Sequence, residues 1–541
     1  MIRRVWIGSA VVAAGLAVLI AAAVASGLDA SAPEPTVATD ATVSERGVRW
    51  FADGSFGSLS LAALQTSALP AMPVAAMLAL AEADRTGGMA DDKALARALR
   101  RHGFLLPERI ANAPELGSRD PNAALGRTRG LAAKGWSPLA VTVTNIGCAA
   151  CHAGPVYDAE GKPDPSRAWA GSPNTSLNLE GYTLDLFGAM RTHADDPRLW
   201  PTMRALEPDM DWRERLLLRF YVLPMLRERV AELDATLGRA IPFSGGLPGA
   251  TNGLDPLHRR IGVTDGSNVV KVSAFNSIPE LEGRTLRSRL LNTGAYVPEG
   301  ADPDRTITRA GVTDAHLDAL GDVAAFFTVP SMGTEPEVAL AHAHQTRDIM
   351  RWMLGHRAQP WPGPRDDAAA ARGRTIYGQR CATCHGTYDD DLDDPSLISF
   401  PNWMGDVGTD PLRAELFTER TRRAIEATAF GPVIDVRDTG TYAAPPLTGL
   451  WTSAPYLHNG SVPTLHGLMN PSGRPARFAV GSHSLDMERV GIGPTMPGEP
   501  LGPPVLIDTS RPGLGNGGHE APFDALSPNE KADLLEFLKR L

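Results

Sequence analysis

Cys148-Ala149-Ala150-Cys151-His152 and Cys381-Ala382-Thr383-Cys384-His385 contain all the cysteines of the chain, in two pairs of identical spacing, each followed by histidine. Four cysteines in 541 residues do not make a disulfide scaffold. A two-residue gap lets both sulfurs of a pair reach the two vinyl groups of one haem. The adjacent histidine then lies under the iron as an imidazole ligand. Paired cysteines also ligate Zn. A redox dithiol would want a βαβ setting, which the sequence does not show. A histidine after both pairs favours haem. Cys148, Cys151 and His152 are therefore predicted to hold one covalent haem c, and Cys381, Cys384 and His385 a second.

Such haems are attached outside the cytoplasm, and the start of the chain agrees. Arg3 and Arg4 precede an apolar run from Val5 to Val24, and Ala23-Val24-Ala25 offers a small-residue cleavage site before Ser26. Residues 1–25 read as a signal peptide or, uncleaved, as a membrane anchor. Residues 26–45, rich in Ala, Pro, Thr and Ser, read as a tether. The expected location is the periplasm, with any membrane contact through the N-terminal segment alone. Hydrophobic residues at 43% and charged residues at 21% suit a globular body. A net charge of −10 argues against nucleic-acid binding. It suits docking of a small basic electron carrier, and equally well simple solubility.

Glycine (54) and proline (45) are spread throughout, so short helices joined by many loops are expected. Helical spacing falls at 89–102, at 212–237 with a break near Pro224, and at 312–328 with Leu317, Leu320, Val323 and Phe327. Short strands fit Leu139–Asn145 and Val269–Phe275. The Pro/Gly-rich run 359–364 cannot continue a helix and marks a boundary. It separates an N-terminal haem domain (46–358) from a C-terminal cytochrome c domain (365–541). In the latter, a helix over 366–379 runs into Cys381. Ser527-Pro528-Asn529-Glu530 then forms a capping box ahead of a last helix with Leu534, Leu535, Leu538 and Leu541. The expected fold is mainly α, with two cytochrome c-like domains, the N-terminal one loop-rich and enlarged.

A second axial ligand decides whether each haem carries electrons or reacts with peroxide or oxygen. Thirteen histidines and 15 methionines are available, so spacing does not choose. Around Ala454-Pro455-Tyr456-Leu457-His458-Asn459-Gly460 the chain resembles the PYxHxG segment of the di-haem cytochrome c peroxidase/MauG superfamily. Arg474-Pro475-Ala476-Arg477-Phe478, Gly481, Asp486, Val490-Gly491 and the run from Asp508 to Glu520 extend the pattern. Together they resemble most closely the branch that includes the di-haem rubber oxygenases. Trp169-Ala170-Gly171-Ser172-Pro173-Asn174 resembles the segment after the first haem motif. The resemblance implies that His519 is the second axial ligand of the C-terminal haem, with Met469 and Met487 as alternatives. It places His458 near the haem edge, and Trp451 with it on a candidate electron path. It also allows a Ca²⁺ held largely by carbonyl oxygens between the domains.

The N-terminal half departs from that pattern. Rubber oxygenases wall the open side of this haem with aromatic residues including Trp, yet residues 213–351 contain no Trp. Phe275, Phe326 and Phe327 remain, each equally at home in an ordinary core. No clear match to the distal His and Glu of the peroxidases stands out; His193, His258 and Glu280 qualify by type only. The resemblance implies a redox enzyme. An electron-transfer haem at the C-terminal site would serve a peroxide- or oxygen-reactive haem over His152. H₂O₂ would be reduced using a small cytochrome or cupredoxin, or O₂ would be used on an apolar substrate. A plain electron carrier is the third reading.

Overall fold

The computed structural model describes residues 41–54, 69–133, 140–237, 246–263, 274–498 and 501–541. The leader, most of the tether and most of the strand expected over Val269–Phe275 lie outside the described residues. Among the described residues no helix is long and apolar enough to cross a membrane. Helix exceeds strand, 43% against 16%, and no barrel closes among the described residues, so the fold is mixed, where mainly α was expected.

Three apolar clusters organise the chain. The first joins the helices Val43–Asp53, Asp314–Phe326 and Ala343–Gly355 around an aromatic centre of Tyr296, Phe326, Phe417 and Phe430. Its first helix begins at Val43, inside the expected tether, because Thr42 and Glu45 cap it reciprocally. The second cluster surrounds Ala71–Thr86. That helix is apolar nearly all round, with Met72 to Ala79 all buried, and a helix of that kind is enclosed by its neighbours. The third is built on Asp367–Arg380 packed against the C-terminal helix Pro528–Leu538, the frame expected around the second haem motif.

Several predicted elements shift at their ends. The helix expected over 89–102 spans Asp92–Arg100, started by the Asp91 side chain on the Ala94 amide. The one over 312–328 spans Asp314–Phe326, capped by Thr313. At 212–237 the helix does not break. Trp212–Leu217 runs through a π-turn, Leu218–Val222, into Leu223–Leu237. Pro224 directly follows the π-turn, whose altered hydrogen-bond spacing accommodates the N–H that proline lacks.

Strands deliver the first haem motif. Arg127–Ala133 pairs antiparallel with Ala140–Ile146, from Arg127 opposite Ile146 to Ala133 opposite Ala140. The chain leaves this pair at Gly147 and turns at once into the short helix Cys148–His152. Gly126 permits the approach: its φ is +70°, and a Cβ there would fall 2.0 Å from the Ala150 nitrogen. After the motif, Ala153–Tyr157 pairs with Pro163–Ala170.

Two further antiparallel pairs join the chain on either side of residues 359–364. Tyr296–Pro298 lies against Ile434–Val436, and Ile307–Thr308 against part of Leu397–Phe400.

Candidate functional site

A mostly apolar cavity of about 240 Å³ opens beside the second haem motif. Cys381, Cys384 and His385 form one side. The helix Asp367–Arg380 ends on Cys381, and Ala382–His385 continues from it. His385 donates from Nδ1 to the Pro445 carbonyl at 2.8 Å. That bond fixes the tautomer and leaves Nε2 with a free lone pair, as metal-ligating histidines require. Burial, and the His519 ring facing it, push the His385 pKa down to about 4, so the imidazole is neutral and able to ligate.

His519 stands across from His385 with ring centres 6.0 Å apart. Two imidazoles on opposite faces of one metal ion, each bonded at about 2.0 Å, have ring centres roughly 6 Å apart. His519 is held by its backbone, whose N–H donates to the Val407 carbonyl at 2.7 Å in a left-handed conformation with φ +57°. Its Nδ1 is buried with no hydrogen-bond partner. Cysteines at the rim, a tautomer-fixed imidazole and a second imidazole facing it fit a haem c.

The rest of the wall answers the other sequence expectations. His458 lines the cavity and stacks on Tyr442 at 3.9 Å between ring centres, its Nε2 buried without a partner. Met469 also lines the cavity. The Met487 side chain lies instead against Gly161 and Gly363. Trp451 is 1% exposed and does not line this wall, though Leu450 and Ser453 beside it do. Its ring packs edge-on against Tyr157 and Trp361, and its N–H donates to the Gln359 carbonyl at 2.9 Å. Trp451 thus ties the first haem motif's strand to the boundary segment.

At the first motif, His152 donates from Nδ1 to the Pro279 carbonyl at 3.1 Å, the counterpart of His385 and Pro445. Burial pushes its pKa down to about 4 as well. Burial pushes the Cys148 and Cys151 thiols up to about 12, the reverse of the thiolate-stabilising surroundings of a redox dithiol. Among the described residues no histidine ring faces His152 as His519 faces His385. No group of three or more His, Cys, Asp or Glu side chains among them would hold a metal ion unaided.

The three residues chosen by type are spoken for elsewhere. His193 bonds Asp196, at 3.0 Å, and His258 bonds the Thr421 hydroxyl, at 2.8 Å. Glu280 adjoins Pro279, which puts it on the side of His152 that donates the hydrogen bond. It accepts from His356 Nε2 at 2.7 Å and from Ser172 Oγ at 2.9 Å. Burial raises the Glu280 pKa, but the hydrogen bond and charge of His356, with Ser172, outweigh it and hold the carboxyl below its ordinary range. Phe326 and Phe430 pack edge to face at 5.1 Å, and Tyr296 joins Phe326 and Phe327. Phe275 is buried in the third cluster, with the Arg511 guanidinium 5.9 Å from its ring centre.

Within 277–284 sequence reasoning singled out Glu280 by type alone and missed the residues that touch the sites. Pro279 bonds His152 and also lines the cavity of the second motif, together with Ser277, Ile278 and Arg284. A carbonyl acceptor has no side-chain signature, so no motif could have found it.

The RoxA-like, cytochrome c-like family matches residues 440–479. Over that stretch the chain is similar to it. The matched residues include Tyr442, His458 and Met469 of the cavity wall. The likeness supports haem c, iron and electron transfer, and with them a c-type cytochrome oxidoreductase. The uncharacterized protein y4iJ of Sinorhizobium fredii is 28% identical over 255 residues, covering 35% of this chain and 42% of the relative. Protein y4iM of the same organism is 28% identical over 191 residues, covering 30% and 41%. The chain thus spans about two fifths of the length of these curated relatives.

Proposed function

We propose that this is an exported di-haem oxidoreductase in which the two haem sites differ in kind. One observation carries the reading: a second imidazole faces His385 at 6.0 Å, while among the described residues none so faces His152. When bound, haem supplies a store for one electron and, where an axial position stays open, a site for peroxide or O₂.

The chain's own residues set the difference. Cys381 and Cys384 would fasten a haem at the C-terminal site, and His385 and His519 would both be placed to ligate its iron. A doubly held site resists added ligands and suits electron transfer. Cys148, Cys151 and His152 hold the N-terminal haem from one side. The Pro279 carbonyl orients His152 and strengthens it as a donor. Apolar walls keep water from the C-terminal site. The proposed chemistry is reduction of H₂O₂ with electrons from a small cytochrome or cupredoxin, in the periplasm. The likeness over 440–479 favours a second reading, use of O₂ on an apolar substrate as in rubber oxygenases.

The test is an EPR and optical spectrum of the isolated protein, followed by titration with H₂O₂ and, after reduction, with O₂. One low-spin haem and one ligand-exchangeable haem that reacts are expected. Two inert low-spin haems would reduce the protein to an electron carrier. Oxygen uptake with a polyisoprenoid would select the second reading.

A further inference from the structure

The wall between the two haem motifs contains two guanidinium groups short of an anion. Arg284 lines the C-terminal cavity and begins the 3-10 turn Arg284–Leu286. Its Nε donates to the Glu280 carbonyl at 2.9 Å, and its Nη1 is buried with no partner. Arg287, one turn on, is 3% exposed; it donates to the Leu291 carbonyl and leaves Nε unpartnered. Among the described residues neither forms an ion pair with a carboxylate. The nearest acid, Glu280, is committed to His356 and Ser172. Burial pushes Arg284 down to about 10, with the Glu280 charge opposing only in part, and pushes Arg287 down to about 9, with the charges of Arg284 and Arg289 adding to the effect.

Native proteins rarely bury a charge without a counter-charge, and each orphaned buried donor calls for a partner. An anion in the cavity that Arg284 lines would supply that counter-charge. Arginine suits it, since a planar fork matches a carboxylate. We infer that Arg284 seats a carboxylate of the haem held by Cys381 and Cys384, with Arg287 as a second buried charge behind it. This rests on the di-haem reading above. Arg284 is also close enough to His152 to act on it electrostatically, so one cation faces both sites. A buried positive charge favours the reduced, less positive iron and raises the reduction potential of that haem.

The experiment is redox titration of the holoprotein, following the low-spin bis-imidazole signal, with haem content measured alongside. R284Q is expected to lower that midpoint by the equivalent of about a tenfold change in the reduced-to-oxidised ratio, about 59 mV for one electron. R284K keeps the charge and is expected to recover most of the shift. R287Q removes the second charge without touching the cavity wall and is expected to give a smaller fall of the same sign. H258Q alters a buried histidine away from this wall and should leave the midpoint in place. An R284Q protein with full haem, an intact low-spin signal and an unmoved midpoint would overturn the inference and leave the di-haem reading standing. If R284Q does not retain haem, R287Q decides, and no fall there overturns it. A wild-type protein with no bis-imidazole haem would remove both.

Discussion

His519 is a loop residue in a left-handed backbone conformation, and its own ring makes no hydrogen bond through Nδ1. The loop conformation and the Val407 hydrogen bond hold its ring opposite His385 across the cavity. His519→Ala is expected to convert one haem of two to high spin, open to cyanide or imidazole, as read by EPR. Met469→Leu should leave the low-spin signal in place; its loss there would move the ligand role to the thioether. A second residue-scale prediction concerns Glu280. Its carboxyl is held below the ordinary range, so the pair with His356 contributes stability that is complete above about pH 4.5. That contribution is lost as pH falls through the depressed value. Glu280→Gln leaves His356 buried without its acid and is expected to cost about 3 kcal/mol at pH 7. Urea unfolding at pH 7 and at pH 3 should show the difference shrinking at the lower pH; an equal loss at both would refute the pairing. Cysteine spacing made six candidate haem-binding residues readable in advance. The pairing of Glu280 with His356 was not, because 76 residues separate them and neither sits in a recurring pattern.

Among elements, the helices before Cys381 and at the end of the chain were legible for plain reasons. Asp366 and Ser527 are cap residues at the right places, and the apolar stripe of the last helix is continuous. Ala71–Thr86 was not, since a helix buried all round has no periodic contrast to read. The π-turn at Leu218–Val222 was missed because proline near a helix start can be absorbed as well as obeyed. What no pattern revealed was how closely the two legible helices cross. A Cβ on Gly373 would lie 2.0 Å from the Asp533 carbonyl oxygen, so the backbones meet directly. Gly373→Val is therefore expected to force the helices apart at a cost of about 3 kcal/mol. Thermal unfolding should show the loss. Because Asp367–Arg380 ends on Cys381, a weakened low-spin spectrum should accompany it. A variant with unchanged stability and spectrum would mean the crossing is looser than the geometry requires.

For the whole molecule, the question is whether the second haem site stands by itself. The Pro/Gly-rich run at 359–364 reads as a boundary, and the two helices framing Cys381 lie wholly beyond it. Yet Phe417, Ile425 and Phe430 belong to the same apolar cluster as Phe326 and Tyr296. Ile434–Val436 finds its strand partner at Tyr296–Pro298, and Leu397–Phe400 finds one at Ile307–Thr308. The cavity itself is closed by Ser277, Ile278, Pro279 and Arg284 from the earlier part of the chain. Cutting at 365 would uncover the six residues beyond it that belong to that cluster, Phe417, Ile425, Phe430, Ile434, Val436 and Leu501, strip two strand pairings and open one wall. Exposing each such side chain costs about 1.5–3 kcal/mol, in sum comparable to the ~5–15 kcal/mol that a small domain commonly holds in reserve. The fragment 365–541, matured with its haem, is therefore expected to lose cooperative unfolding, while the full chain keeps its second haem site to the end of its main transition. Soret-region circular dichroism during heating reads both. Its low-spin signal should also be partly replaced by high spin, since Pro279 and Arg284 no longer back the site. A fragment that melts sharply with an undisturbed bis-imidazole spectrum would show instead that the C-terminal haem site is autonomous, and that 277–284 serves His152 alone.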